Sequence, residues 1–433
     1  MRKSPESVQN RTSRSQNDAF CTCTFVQSGI CSLNLHWDFF ALIFGYSSQR
    51  TVTPYLGKNL ERGDPDFGAK KMSWNLASGI LLLGLGSLSA QLSPAQSLRN
   101  CGTARGVLIG TAVRPQLFSE GLYSRTLASE FSMIEPEDAM KWWMIRPEQA
   151  TFDFTQADRV VEFAEKHSMK VRGHTLAWGW SNPSWLNQNS FTTEQLNRLL
   201  QEHIERVVTR YRGRVFAWDV VNEAFDEDGA LKASLWYNRP GIGFAGKSTE
   251  YIEQAFHWAH AADPEALLFY NDNGAETLNK KSDAIYAMVK DFKYRGVPID
   301  GIGMQMHIFD LQADSHSISK NIARFTALDL QVHITEMDVA APVDTMGRAS
   351  AADLARQAEI YRAIASACFA NAGCSALQTW GFTDKYSWIG WKTKGAKGNA
   401  LPFDRYYSPK PAYAALEGSC AAKQPASLHS SPQ

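Results

Sequence analysis

The chain of 433 residues has no net charge, with 44 Lys plus Arg against 44 Asp plus Glu, and no long basic run. That argues against nucleic acid or an anionic membrane surface as its main partner. Cysteine is scarce, at seven residues, and no Cys–His grouping has zinc-ligand spacing; no metal or cofactor is implied. Long apolar runs are missing too. The patch Leu35 to Tyr46 carries His36 and Asp38 and is too short to span a bilayer. No Ser/Thr/Pro linker or second domain follows Cys420, and residues 421–433 read as a short disordered tail. Gly241 to Ser248 matches both the dinucleotide glycine pattern and the Walker A pattern. Both patterns must directly follow a buried strand, whereas Trp236-Tyr237-Asn238-Arg239-Pro240 precedes this one, so the match is read as chance.

What is present begins with a misplaced leader. Residues 1–71 have no sustained period, while Lys70-Lys71-Met72, the apolar run Ile80 to Leu85 and the small residues Ser87 to Ala90 form the three parts of a secretory signal. We read 72–90 as a signal peptide with Met72 as the true start, and 1–71 as a non-native, disordered upstream extension. The expected location is therefore extracellular or periplasmic, with no membrane association after signal cleavage. Four cysteines remain past Ala90, an even count that allows two bridges in an exported chain. Cys368 and Cys374 flank a short turn, and Cys101 and Cys420 sit at the two ends of the domain. Four buried free thiols are the alternative.

From Gly106 onward, apolar runs alternate with amphipathic segments. The strand-like runs are 106–112, 131–134, 170–176, 215–221, 267–270, 299–306, 330–335 and 376–381. Helical patterns lie between them. In the clearest, Thr192 and Gln195 form a capping box ahead of a stripe from Leu196 to Tyr211. Strand–helix alternation over residues 100–420 fits an α/β fold, a (β/α)8 TIM barrel forming a single domain, better than an open sheet. In such a barrel the residues just past each strand's C-terminal end face one pocket. Here they include Glu137 and Lys141, His174 and Trp178, Asn222 and Glu223, Asn271, Gln305 and His307, Glu336 and Asp338, and Trp380. Each has an ordinary structural reading alone; their convergence points to a site. Thirteen Trp allow aromatic rings to line a sugar groove.

Two of the strand ends finish in glutamate: Trp218-Asp219-Val220-Val221-Asn222-Glu223 and Val332-His333-Ile334-Thr335-Glu336-Met337-Asp338. Glycosidic cleavage needs one carboxylic acid to protonate the leaving oxygen and one carboxylate on the other face of the sugar. At these residues, at Gly173-His174-Thr175-Leu176 and at Trp380 to Trp388, the chain resembles glycoside hydrolase family 10, the endo-β-1,4-xylanases. The resemblance covers about residues 100–420. It implies a retaining mechanism with Glu223 as proton donor and Glu336 as nucleophile. It implies that Asn222 bonds the sugar 2-OH, and that His307, oriented by Asp338, supports the nucleophile. Glu137, Asp138, Lys141, His174, Trp178, Gln305, Trp380 and Trp388 would bind substrate, and Cys368 with Cys374 would match the family's short bridge. The implied partner is xylan or a xylo-oligosaccharide, bound by a monomer.

Two departures stand out. Asp138 occupies a place where the family usually has Asn; it adds negative charge and cannot donate as an amide does. Trp178-Gly179-Trp180-Ser181 replaces the usual Trp-His-Ser-Gln, which predicts weaker xylose binding at the second glycone position and weaker rejection of glucose. The alternatives are a glycosidase shifted to mixed glucan or short xylo-oligosaccharides, and a non-catalytic polysaccharide-binding barrel.

Overall fold

The computed structural model describes residues 97–238, 241–242 and 249–421. The readings made for 1–90, for the Gly243 to Ser248 part of the glycine-rich stretch and for 422–433 lie outside the described residues. Eight parallel strands form the barrel: β1 Leu108–Val113, β2 Met133–Pro136, β3 Lys170–Trp178, β4 Ala217–Asn222, β5 Leu267–Asp272, β6 Gly301–Met304, β7 Gln331–Val339 and β8 Cys374–Thr379. Each pairs with the next in sequence order, and β8 pairs with β1 to close the ring. The fold is a (β/α)8 TIM barrel. Closure explains the composition of the strands: nearly every strand residue is buried, so the strands read as apolar runs without alternation.

The surrounding helices follow their sequence signals. In helix Thr193–Arg210, Thr192 Oγ1 accepts from the Gln195 N–H at 3.3 Å, and Gln195 Oε1 accepts from the Thr192 N–H at 2.8 Å. Its stripe of Leu196, Leu200, Ile204 and Val207 is fully buried, and each such side chain contributes about 1.5–3 kcal/mol of burial. Two disulfides join Cys101 to Cys420 and Cys368 to Cys374, with Cα separations of 5.5 and 5.2 Å. Among the described residues no helix is long and apolar enough to cross a membrane.

Strand bounds differ from the sequence reading by one to four residues in every strand, and three of the differences have visible causes. A helix, Leu98–Arg105, precedes β1 and is capped by Gly106 at φ 68°, so β1 starts two residues later than expected. β2 runs on through Glu135, a polar group accommodated inside the barrel because Arg172, His174 and Gln378 surround it. The expected run 299–306 breaks at Met306, where φ is 66°. The chain then resumes as His307–Ile308 alongside Asp338–Val339. That break turns His307 toward the end of β7.

Candidate active site

The C-terminal ends of the strands enclose a cleft of about 790 Å³. The end of β2 contributes Glu137, Asp138 and Lys141; β3 contributes His174 and Trp178; β4 contributes Asn222 and Glu223. Gln305 and His307 follow β6, Glu336 lies in β7, and Trp380 and Trp388 follow β8. Asp338 is fully buried and stands behind His307 rather than at the surface of the cleft.

Glu336 is held from two sides. His307 Nε2 lies 3.1 Å from its Oε2, and the Asn271 amide donates to its Oε1 at 2.8 Å. Burial works against charge on Glu336, but the His307 hydrogen bond, the neighbouring imidazoles and the Asn271 amide outweigh it and hold the carboxyl below its ordinary pKa. His307 Nδ1 in turn lies 3.0 Å from Asp338 Oδ1, and Asp338 Oδ2 accepts from the Trp388 indole at 2.7 Å. Burial opposes charge on His307 too, yet Asp338 and Glu336 on either side push its pKa well above the usual value.

Glu223 sits just past β4 with φ 54°, a conformation costly for a side-chain-bearing residue and often kept where a side chain must be aimed. The turn lets consecutive residues, Asn222 and Glu223, both face the cleft. The Gln305 amide donates to Glu223 Oε1 at 3.0 Å, and Lys232 Nζ stands 3.9 Å from Oε2. Asn222 Oδ1 accepts from Asn271 at 2.9 Å and from Gln305 at 3.2 Å. A continuous chain of hydrogen bonds therefore runs Glu336–Asn271–Asn222–Gln305–Glu223. The Asn222 oxygen is occupied twice, and its amide nitrogen lies 3.4 Å from Glu223 Oε1, with a second N–H left to donate to a hydroxyl.

Asn271 is placed by the absence of a side chain at Gly303. A Cβ at that position would stand 2.1 Å from Asn271 Oδ1; the same oxygen accepts from Thr335 Oγ1 at 2.8 Å.

The floor of the cleft is a buried polar cluster. Arg172 and Asp219 are fully buried and ion-paired. His174 Nδ1 lies 3.0 Å from Asp219 Oδ2 and 3.3 Å from Glu135 Oε1. Burial and the Asp219 charge push Glu135 well above the usual carboxylate range, against the pull of Arg172. Burial also opposes charge on Asp219, but Arg172 and His174 hold it below its ordinary value. Glu135, His174 and Glu336 are the grouping among the described residues with metal-ligand spacing, their donor atoms lying within 4.8 Å of one another. His174 Nδ1 is already engaged by Asp219 Oδ2 at 3.0 Å, and the Arg172 guanidinium lies 3.8 Å from Glu135. The cluster is thus a hydrogen-bonded, cation-filled floor rather than a metal cradle. Sequence reasoning passed over Arg172, Asp219 and Glu135 as site residues, although opposite charges inside neighbouring apolar strands were a usable signal.

The wall near β2 is paired. Arg114 Nε bonds Glu137 Oε2 at 2.7 Å. Lys141 Nζ lies 3.0 Å from Asp138 Oδ1 and within 5.3 and 5.7 Å of the Trp178 and Trp380 rings. The negative charge that Asp138 adds is therefore offset locally by Lys141. Ser181 and Gly179 do not line the main cleft.

Two carboxyls at the mouth of a (β/α)8 barrel, flanked by aromatic rings and side-chain amides, are the parts a glycoside hydrolase needs. The chain belongs to glycosyl hydrolase family 10, whose family model matches residues 97–418. It is 42% identical over 340 residues to endo-1,4-beta-xylanase B of Thermotoga neapolitana, covering 78% of this chain and 95% of that protein. Identity to endo-1,4-beta-xylanase D of Talaromyces funiculosus is 38% over 341 residues, covering 78% and 80%. Among solved structures, xylanase 10B from Thermotoga petrophila in complex with xylobiose superposes with a TM-score of 0.71 at 42% identity, covering 75% of this chain and 97% of that one.

Proposed function

We propose that the chain is an exported endo-β-1,4-xylanase that cleaves internal xylosidic bonds with retention of configuration. The observation that carries this reading is Glu336, ionised and fixed by His307 and Asn271, sharing one cleft with Glu223. The named relatives supply the substrate class. In the first step Glu336 attacks the anomeric carbon and forms an ester, while Glu223 gives its proton to the leaving sugar oxygen. In the second, Glu223 takes a proton from water, the hydroxide attacks the same carbon, and Glu336 leaves as carboxylate. Asn222 donates to the sugar 2-OH, a contact that strengthens as positive charge develops on the ring. Trp380, Trp388 and Trp178 provide apolar walls, and Glu137, Lys141, His174 and Gln305 take the remaining hydroxyls. Export rests on the leader-like stretch 72–90 and on the two disulfides.

The test is product analysis on xylan and barley glucan side by side, with the anomer of the first-formed sugar followed by proton NMR. Release of β-anomers from xylan is expected. Release of α-anomers would exclude the double displacement, and preferential cleavage of barley glucan would favour the shifted specificity suggested by Ser181.

A further inference from the structure

The cleft has one wall that the reaction above does not use. Past Trp388 the chain makes one helical turn, Ile389–Lys392, then returns as Lys397–Gly398 to pair antiparallel with Ala341–Pro342. The segment is braced rather than loose. Trp388 is tied to Asp338, Thr393 Oγ1 donates to Ile389 O at 2.8 Å and accepts from Lys397 N–H at 3.0 Å, and the Gly395 N–H bonds Gly390 O at 2.8 Å. It holds Trp391 and Lys392 on the cleft, with Trp391 77% exposed.

The charges on this wall do not cancel. Arg114 and Lys141 on the opposite side each have an acid within 3.0 Å, and Lys232 faces Glu223. Among the described residues that line the cleft, Lys392 is the cation with no acid at ion-pair distance. Lys394 is exposed beside it, and the sequence holds no Asp or Glu between Asp384 and Asp404. Xylose rings and neutral decorations offer hydroxyls to such a group but no opposite charge. A uronic acid side group offers a carboxylate for the ammonium and a sugar face for the indole.

We infer that the Trp391–Lys392 wall is a decoration subsite that favours xylan carrying uronic acid side groups, with Lys392 pairing the carboxylate and Trp391 packing the sugar ring. The inference rests on the xylanase reading above. The pair is solvent-exposed, so its effect is modest and salt-dependent.

The experiment compares kcat/KM of the full chain on glucuronoxylan with kcat/KM on the same polymer after its carboxyls are reduced to alcohols, which preserves shape and removes charge. At low ionic strength the charged polymer is expected to be the better substrate by roughly three- to fivefold. That ratio falls toward one in Lys392→Met, below one in Lys392→Glu, and toward one in the parent enzyme as NaCl is added. A parent ratio of one at low salt, or a ratio in Lys392→Met equal to the parent's, overturns the inference while leaving the xylanase reading intact. Failure to cleave either polymer removes the xylanase reading, and the inference with it.

Discussion

The ends of β4 and β7 each present a glutamate to the same cleft, yet they are built differently. Glu336 lies within a strand, is 4% exposed, and has an imidazole and an amide bonded to separate oxygens. Glu223 has left its strand through a left-handed turn. Its one close partner is Gln305, with Asn222 at 3.4 Å and Lys232 farther out. One carboxylate is clamped and kept ionised; the other is aimed but loosely held. A nucleophile gains from fixed position and charge, whereas a group that gives up a proton and then takes one back must be stable in both states. The contrast fits the two roles proposed for them.

The largest effects test that contrast directly. Glu336→Gln should lower kcat on every substrate by about 10⁴-fold or more, since no step proceeds without the nucleophile. Glu223→Gln should lose about 10²- to 10⁴-fold on xylan but far less in the first step on aryl xylobiosides whose leaving group needs no proton. Pre-steady-state release of the aryl group measures this, and equal losses in both variants on both substrates would break the comparison.

Next comes the clamp. His307→Ala removes the hydrogen bond that opposes the effect of burial on Glu336, so the Glu336 carboxyl rises toward its ordinary pKa and beyond. Because the reaction needs Glu336 ionised, the acid limb of kcat/KM should move to higher pH; an unmoved acid limb shows that His307 does not set the charge. A smaller effect is expected at Gly303. Its alanine variant meets the Asn271 amide, and overpacking of this kind costs about 1–3 kcal/mol, read as a drop in thermal midpoint together with a fall in kcat. Smallest is Ser181→Gln, outside the lining of the main cleft, which should lower activity on aryl cellobioside relative to xylan substrates by a few-fold. An unchanged ratio removes Ser181 from the account of specificity.

The barrel was legible because buried parallel strands leave short apolar runs, and eight of these recur with helical stripes between them. The strand-end residues were legible for the same reason: a polar group directly after an apolar run faces the common pocket. The floor was not. Arg172, Asp219 and Glu135 sit inside runs whose apolar character hides them, and only the register of β2, β3 and β4 brings their side chains together. The break at Met306 was equally invisible, since a positive φ in a non-glycine residue leaves no mark in composition. Asp138 was read as an added charge because its partner, Lys141, is brought back to it by the tight turn over 138–141, where the Lys141 N–H donates to Asp138 O at 2.9 Å.

The bond between Cys101 and Cys420 spans 319 residues of sequence, from the helix before β1 to the helix after β8. Every loop of the barrel, including all those that carry cleft residues, lies inside that covalent ring. A single cut in any of them therefore leaves one molecule, not two fragments. A nicked chain that cannot separate is a chain that can keep its shape.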